Sequence, residues 1–168
     1  GLMPLERRVR DLMHPIERYG QVREEDRLQD AIRGLQQPPC IEGPVCLIVV
    51  GETPAGDRVI TGFLTPANLV FGMADHFLKG AETIGPIFWE GQLEEECRRA
   101  MRKPIREIMT PIRASIRDDE MLMEAIFLLH RHQVDFLPVV QEQEVIGLIH
   151  LKDILLAITR IGLKPQKS

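Results

Sequence analysis

Apolar residues recur along the chain in two alternating rhythms, and the series of rhythms occurs twice. In residues 26–32, Leu28, Ala31 and Ile32 keep an i, i+3, i+4 spacing and so share one face of a predicted helix. Leu122, Ala125 and Ile126 repeat that spacing within residues 120–131. Two short apolar runs then follow in each half. Residues 45–50 and 59–64 flank a stretch whose Pro54, Gly56 and Asp57 mark a hairpin turn, and residues 136–140 and 145–149 flank a tighter one. A closing helix is predicted over 66–78 and again over 151–161. Pro66 suits a first helical turn, where its missing N–H would have had no partner.

The duplication is also visible residue by residue. Val9-Arg10-Asp11-Leu12-Met13-His14-Pro15-Ile16 returns as Ile105-Arg106-Glu107-Ile108-Met109-Thr110-Pro111-Ile112, with four of eight positions identical and three more conservative. Each half therefore reads as an extended Pro segment, helix, strand, strand, helix. This divides the chain into a helical lead-in (1–8), a first copy (9–78), a joint (79–104), a second copy (105–163) and a tail (164–168). The joint is broken by Gly80, Gly85, Pro86 and Gly91 and then reads as a polar helix over 92–102. There Glu94, Glu95 and Glu96 precede Arg98, Arg99 and Arg102, the charge order that a helix dipole favours. Phe88 and Trp89 are expected to pin the joint onto one copy.

Repeat, element order and motifs together resemble a tandem pair of CBS domains, the module named after cystathionine beta-synthase. The second copy carries Ile108-Met109-Thr110-Pro111, Phe136-Leu137-Pro138-Val139-Val140 and Val145-Ile146-Gly147-Leu148-Ile149-His150-Leu151-Lys152-Asp153. The first carries Leu12-Met13-His14-Pro15 and Ile60-Thr61-Gly62-Phe63-Leu64-Thr65-Pro66-Ala67-Asn68. The resemblance implies an α+β fold of two repeats, each a small β-sheet packed with helices, related by a pseudo-two-fold. It also implies a sensor rather than an enzyme. Such pairs bind AMP, ADP, ATP or S-adenosylmethionine in clefts between the repeats, as effector and not as required cofactor. The family's ligand motif runs Gly, two apolar residues, Ser or Thr, any two, then Asp. A glycine lets the backbone approach the ligand, a helix N-terminus attracts phosphate, and a carboxylate accepts from ribose hydroxyls.

Both copies depart from that motif. The second keeps Asp153 but has His150 in the hydroxyl position; the first keeps Thr65 but has Asn68 in place of Asp. By the family pattern the adenine lies against Ile112, Asp135, Phe136 and Pro138 in the second copy, and against Ile16, Val45, Cys46 and Ile48 in the first. The second copy, with Asp153 and Pro138, is expected to be the stronger site. The alternative is a ligand-free pair that serves only dimerisation or protein interaction.

Composition narrows the remaining classes. The 168 residues are 44% hydrophobic and 27% charged, as in an ordinary globular chain. A net charge of −4 leaves no surplus for phosphate backbones, so nucleic acid is not an expected partner. No apolar run approaches the length of a membrane span, and no basic-then-apolar leader opens the chain, so cytoplasm is the default. Gly1 in place of Met points to an excised fragment or a tag scar. Cys40, Cys46 and Cys97 form no C-x-x-C pair, and a reducing compartment is expected. His130 and His132 fall at a helix end, where cations are favoured, and no carboxylate or cysteine lies at metal-ligand spacing from His14 or His76. No metal site and no catalytic constellation is expected. The run that begins at Met121 and ends at Leu129 is apolar except for Glu124, wider than one buried stripe requires. It is therefore expected to be buried on more than one side, either as a tightly buried helix of a monomer or, the preferred reading, in a homodimer formed through such helices.

Overall fold

The hairpins predicted from the apolar runs form, as strands Leu47–Glu52 (β3) with Arg58–Leu64 (β4) and Phe136–Gln141 (β7) with Glu144–His150 (β8). The computed structural model describes residues 7–35, 46–79 and 91–166. Phe88 and Trp89 of the joint, Cys40 and Val45 lie outside the described residues, as does the side chain of His76. The chain divides into a terminal unit, Gly1–Arg18 with Ile112–Ser168, and a central unit, Tyr19–Pro111.

In the central unit the sheet runs β2-β3-β4-β5, where β2 is Gln21–Arg23 and β5 is Thr110–Pro111. β2 and β3 are parallel; the other pairs are antiparallel. Helices α2 (Leu28–Leu35), α3 (Pro66–Lys79) and α4 (Gln92–Ala100) belong to this unit. Its core is Val22, Leu28, Ala31, Leu47, Val49, Leu64, Leu69, Ala100 and Ile105.

The terminal unit repeats the pattern. Its sheet runs β6-β7-β8-β1, with β6 (Ile116–Arg117) parallel to β7 and β1 (His14–Pro15) antiparallel to β8. The helices are the single turn α1 (Val9–Leu12), α5 (Leu122–His132) and α6 (Leu151–Leu163). Val9, Ile116, Leu122, Ala125, Leu137, Val139, Ile149 and Ile154 fill the core positions that Ile105, Val22, Leu28, Ala31, Leu47, Val49, Leu64 and Leu69 fill in the central unit. Even the register irregularity recurs, between Val49 and Val50 and between Val139 and Val140.

The Pro-motif segments are exchanged between these frames. His14 and Pro15 precede the first copy but pair with Leu148 and Gly147 of the second. Thr110 and Pro111 precede the second copy but pair with Phe63 and Gly62 of the first. The preceding turn is tied in by matching backbone bonds. Val9 and Arg10 donate to the carbonyls of Glu120 and Asp118 at 2.9 Å each, and Ile105 and Arg106 donate to those of Asp26 and Glu24 at 2.8 and 3.0 Å.

The apolar run in α5 is only partly buried by this chain. Leu122, Ala125 and Leu129 are buried, but Met123 and Phe127 are 64% and 52% exposed, so the chain alone covers one stripe of the helix. Among the described residues no helix is long and apolar enough to cross a membrane.

The close approach of β1 to β8 depends on a missing side chain. A Cβ on Gly147 would lie 2.5 Å from the His14 carbonyl oxygen and 3.0 Å from Met13 Sδ; one on Gly62 would lie 2.6 Å from the Thr110 carbonyl oxygen. Backbone cannot swing aside as a flexible side chain can. Gly147→Ala is therefore expected to cost about 2 kcal/mol, read as a lower urea midpoint with unchanged slope. A midpoint equal to wild type would show that β1 does not pack here.

Candidate functional site

The turn from strand to closing helix carries the chemistry in both units, and the Pro-motif residue exchanged into the unit faces it. In the central unit Thr65 is the N-cap of α3 and Asn68 its third residue. Thr65 Oγ1 accepts from the Asn68 backbone N–H (3.3 Å), while Asn68 Oδ1 accepts from the Thr65 backbone N–H and hydroxyl (both 3.0 Å). This is a reciprocal capping box built with Asn in place of Glu or Gln. Asn68 Nδ2 then donates to Thr110 Oγ1 at 2.8 Å. The two hydroxyls and the amide thus satisfy one another. Cys46 and Ile48 are buried in the sheet and its approach, 1% and 0% exposed.

In the terminal unit the same three places hold His150, Asp153 and His14. His14 Nε2 is 2.8 Å from Asp153 Oδ2, with each side chain 22% exposed. His150 is the N-cap of α6 but makes no side-chain cap bond there. Its ring lies 5.7 Å from that of His14, edge to face, and 5.5 Å from that of half-buried Phe136. Burial pushes the His150 imidazole below its ordinary value; Asp153 pulls it up and His14 adds a further push down. The backbone N–H of Leu151 donates to the Asp135 carbonyl at 2.7 Å, which fixes the start of the helix against the start of β7. Arg18 Nη1 lies 3.4 Å from His14 Nδ1.

Of the residues singled out from sequence, His150, Asp153 and Phe136 come together, and the backbone of Asp135 borders them. Pro138 is buried within β7, opposite Leu148. Ile112 and Ile16 are half-buried and follow the two Pro motifs, each in the terminal unit. Thr65 and Asn68 meet each other and Thr110. His14 has a carboxylate partner that local spacing does not reveal, Asp153, 139 residues away in sequence. Among the described residues no three His, Cys, Asp or Glu side chains could hold a metal ion. Sequence reasoning missed His14, Arg18 and Thr110 as members of these clusters. The available signal was that His14 and Thr110 occupy the same place in the duplicated Pro motif.

A sequence profile of the CBS-domain family matches residues 105–160. The second copy is a CBS domain. The α+β fold of the chain is that of solved CBS-pair structures. CBSX2 of Arabidopsis thaliana, solved in complex with AMP, is 20% identical over 92% of this chain and 98% of its own, with a TM-score of 0.61. A CBS-domain protein from Agrobacterium tumefaciens is 15% identical over 94% of this chain and 98% of its own (TM-score 0.63). The cytosolic domain of the Mg2+ channel MgtE, solved with ATP, is 24% identical over 86% of this chain and 46% of its own (TM-score 0.55). The CBS profile match covers the copy whose closing helix carries Asp153.

Because folding holds His150 below the ordinary imidazole value of 6.5, the unfolded chain takes up a proton at this ring at higher pH than the folded chain. The stability contributed is complete above that value and is lost as the pH falls through it toward the folded value. His150→Gln is expected to flatten this part of the acid slope in urea midpoints measured between about pH 7 and 5. An unchanged slope would assign the acid sensitivity elsewhere.

Proposed function

We propose that this CBS-domain protein is a regulatory module that binds an adenine nucleotide, AMP, ADP, ATP or S-adenosylmethionine, at the Asp153 site of its terminal unit. The observation that carries the reading is a half-buried carboxylate in the first turn of a 13-residue helix, beside a partly exposed aromatic ring. An ionised carboxylate accepts hydrogen bonds from the two ribose hydroxyls. Phe136 and Ile112 offer apolar surface to a purine. The first turn of α6 carries the partial positive charge that favours phosphate, and a neutral His150 remains a hydrogen-bond donor. That CBSX2 is solved with AMP and the MgtE cytosolic domain with ATP supports the same reading.

The central unit is read as structural. Its Thr65, Asn68 and Thr110 groups bond to one another, it has no carboxylate at the Asp153 position, and Cys46 is buried where Phe136 is partly exposed. In this reading the protein is a sensor without turnover, needs no resident cofactor and works in the cytoplasm. Ligand acts by differential affinity for two arrangements of the chain. A second copy is the proposed partner for the apolar face of α5, where Met123 and Phe127 are exposed, as are Leu155 and Ile158 of α6.

Thermal unfolding with AMP, ADP, ATP and S-adenosylmethionine tests the ligand. A hundredfold excess over Kd stabilises the native state by about 2.7 kcal/mol, a shift of several degrees. One of the four is expected to give that shift and Asp153→Ala to abolish it; no shift with any ligand would reject the proposal. Sedimentation tests the partner: wild type is expected to be a dimer and Phe127→Glu a monomer. A monomeric wild type would refute it.

A further inference from the structure

We propose that His14 is a positioning residue for the Asp153 carboxylate, with its tautomer set by Arg18, and that ribose recognition at this site depends on the orientation it imposes. This rests on the nucleotide reading above in one respect, that ligand hydroxyls are what Asp153 accepts from.

A guanidinium is a donor only. With Arg18 Nη1 at 3.4 Å, His14 Nδ1 is the acceptor and carries no proton. The proton of the neutral ring is then on Nε2, which donates to Asp153 Oδ2 at 2.8 Å. One oxygen of the Asp153 carboxylate is thereby fixed by the imidazole, and Oδ1 is left as the acceptor for a ligand. Orienting an acceptor through a histidine whose second nitrogen is itself engaged is how such a group is held in one geometry. The matching bond in the central unit runs the other way, from Asn68 Nδ2 to a threonine hydroxyl. The chain thus has an imidazole–carboxylate clasp in one unit and an amide–hydroxyl clasp in the other.

His14 faces Asp153 from α6, His150 from the end of β8 and Arg18 from its own turn. A phosphate would add contacts of its own at the helix N-terminus, so adenosine, which has the ribose hydroxyls and no phosphate, is the probe.

Calorimetric titration with adenosine compares the wild type with three variants at one pH. His14→Gln keeps an N–H donor and is expected to bind within about twofold of wild type. His14→Leu is expected to bind roughly fivefold less tightly, the scale of losing one charge-assisted bond that orients the acceptor. Wild-type affinity in His14→Leu when Asp153→Ala no longer binds, or no rescue in His14→Gln, would overturn the proposal. Imidazole nitrogen shifts in the ligand-free protein report the tautomer directly: Nε2–H is expected, relaxing to a mixture in Arg18→Ala. Adenosine binding with His14 in the Nδ1–H form sinks the clasp and leaves the nucleotide reading standing. Failure of both adenosine and AMP to bind a wild type that has the Nε2–H form sinks the nucleotide reading, and the recognition role of His14 with it.

Discussion

The structure depends on two short backbone contacts in which a Pro-motif segment lies directly against a glycine of a hairpin. His14 and Pro15 sit on Leu148 and Gly147, and Thr110 and Pro111 on Phe63 and Gly62. Neither segment is long enough to be stable alone. Each is placed because the preceding turn buries one aliphatic side chain, Val9 or Ile105, at full depth in a core, and because a glycine leaves room for the backbone. The residue before each proline is thereby delivered to the turn that carries the site.

Duplication supplies the frame and substitution the difference in chemistry. The two cores use the same positions, and the two strand-to-helix turns receive the same exchanged segment. In one, a hydroxyl, an amide and a second hydroxyl satisfy one another at short range. In the other, two imidazoles, a carboxylate and an aromatic ring share a half-buried space. Polar groups that are mutually satisfied gain little from a ligand, whereas an oriented charge retains unused acceptor capacity. The asymmetry between the units is therefore one of hydrogen-bond accounting rather than of fold.

Much of this was legible in the sequence. The hairpins, the closing helices and the duplicated Pro motif follow from spacing and turn residues, and the CBS resemblance follows from their order. The strands β1, β2, β5 and β6 were not legible, since two or three residues carry no period. The pairing of His14 with Asp153 was hidden for a different reason: it joins residues 139 apart, and nothing in either neighbourhood predicts the other. The α5 run left its cover open, because apolar content around a helix states how much surface favours burial, not whether the same chain supplies the cover. Asp153, His150 and Phe136 lie together because they flank adjacent ends of β7, β8 and α6. His14, Arg18 and Thr110 reach their clusters only through the exchange.

The exchange also sets the order in which the chain can be assembled. During synthesis β1, which begins at His14, is made long before its partner β8, which begins at Glu144. Val9 must wait for Leu137, Val139 and Ile149 before the core it completes exists. Such long-range closure raises contact order and slows folding relative to a fold built of sequential pieces. The central unit closes sooner, once Ile105 and Thr110 have been made. A chain cut down to either copy alone would therefore carry a hairpin and its helices but lack the edge strand and one buried aliphatic anchor, so the repeat visible in the gene is not the piece that folds.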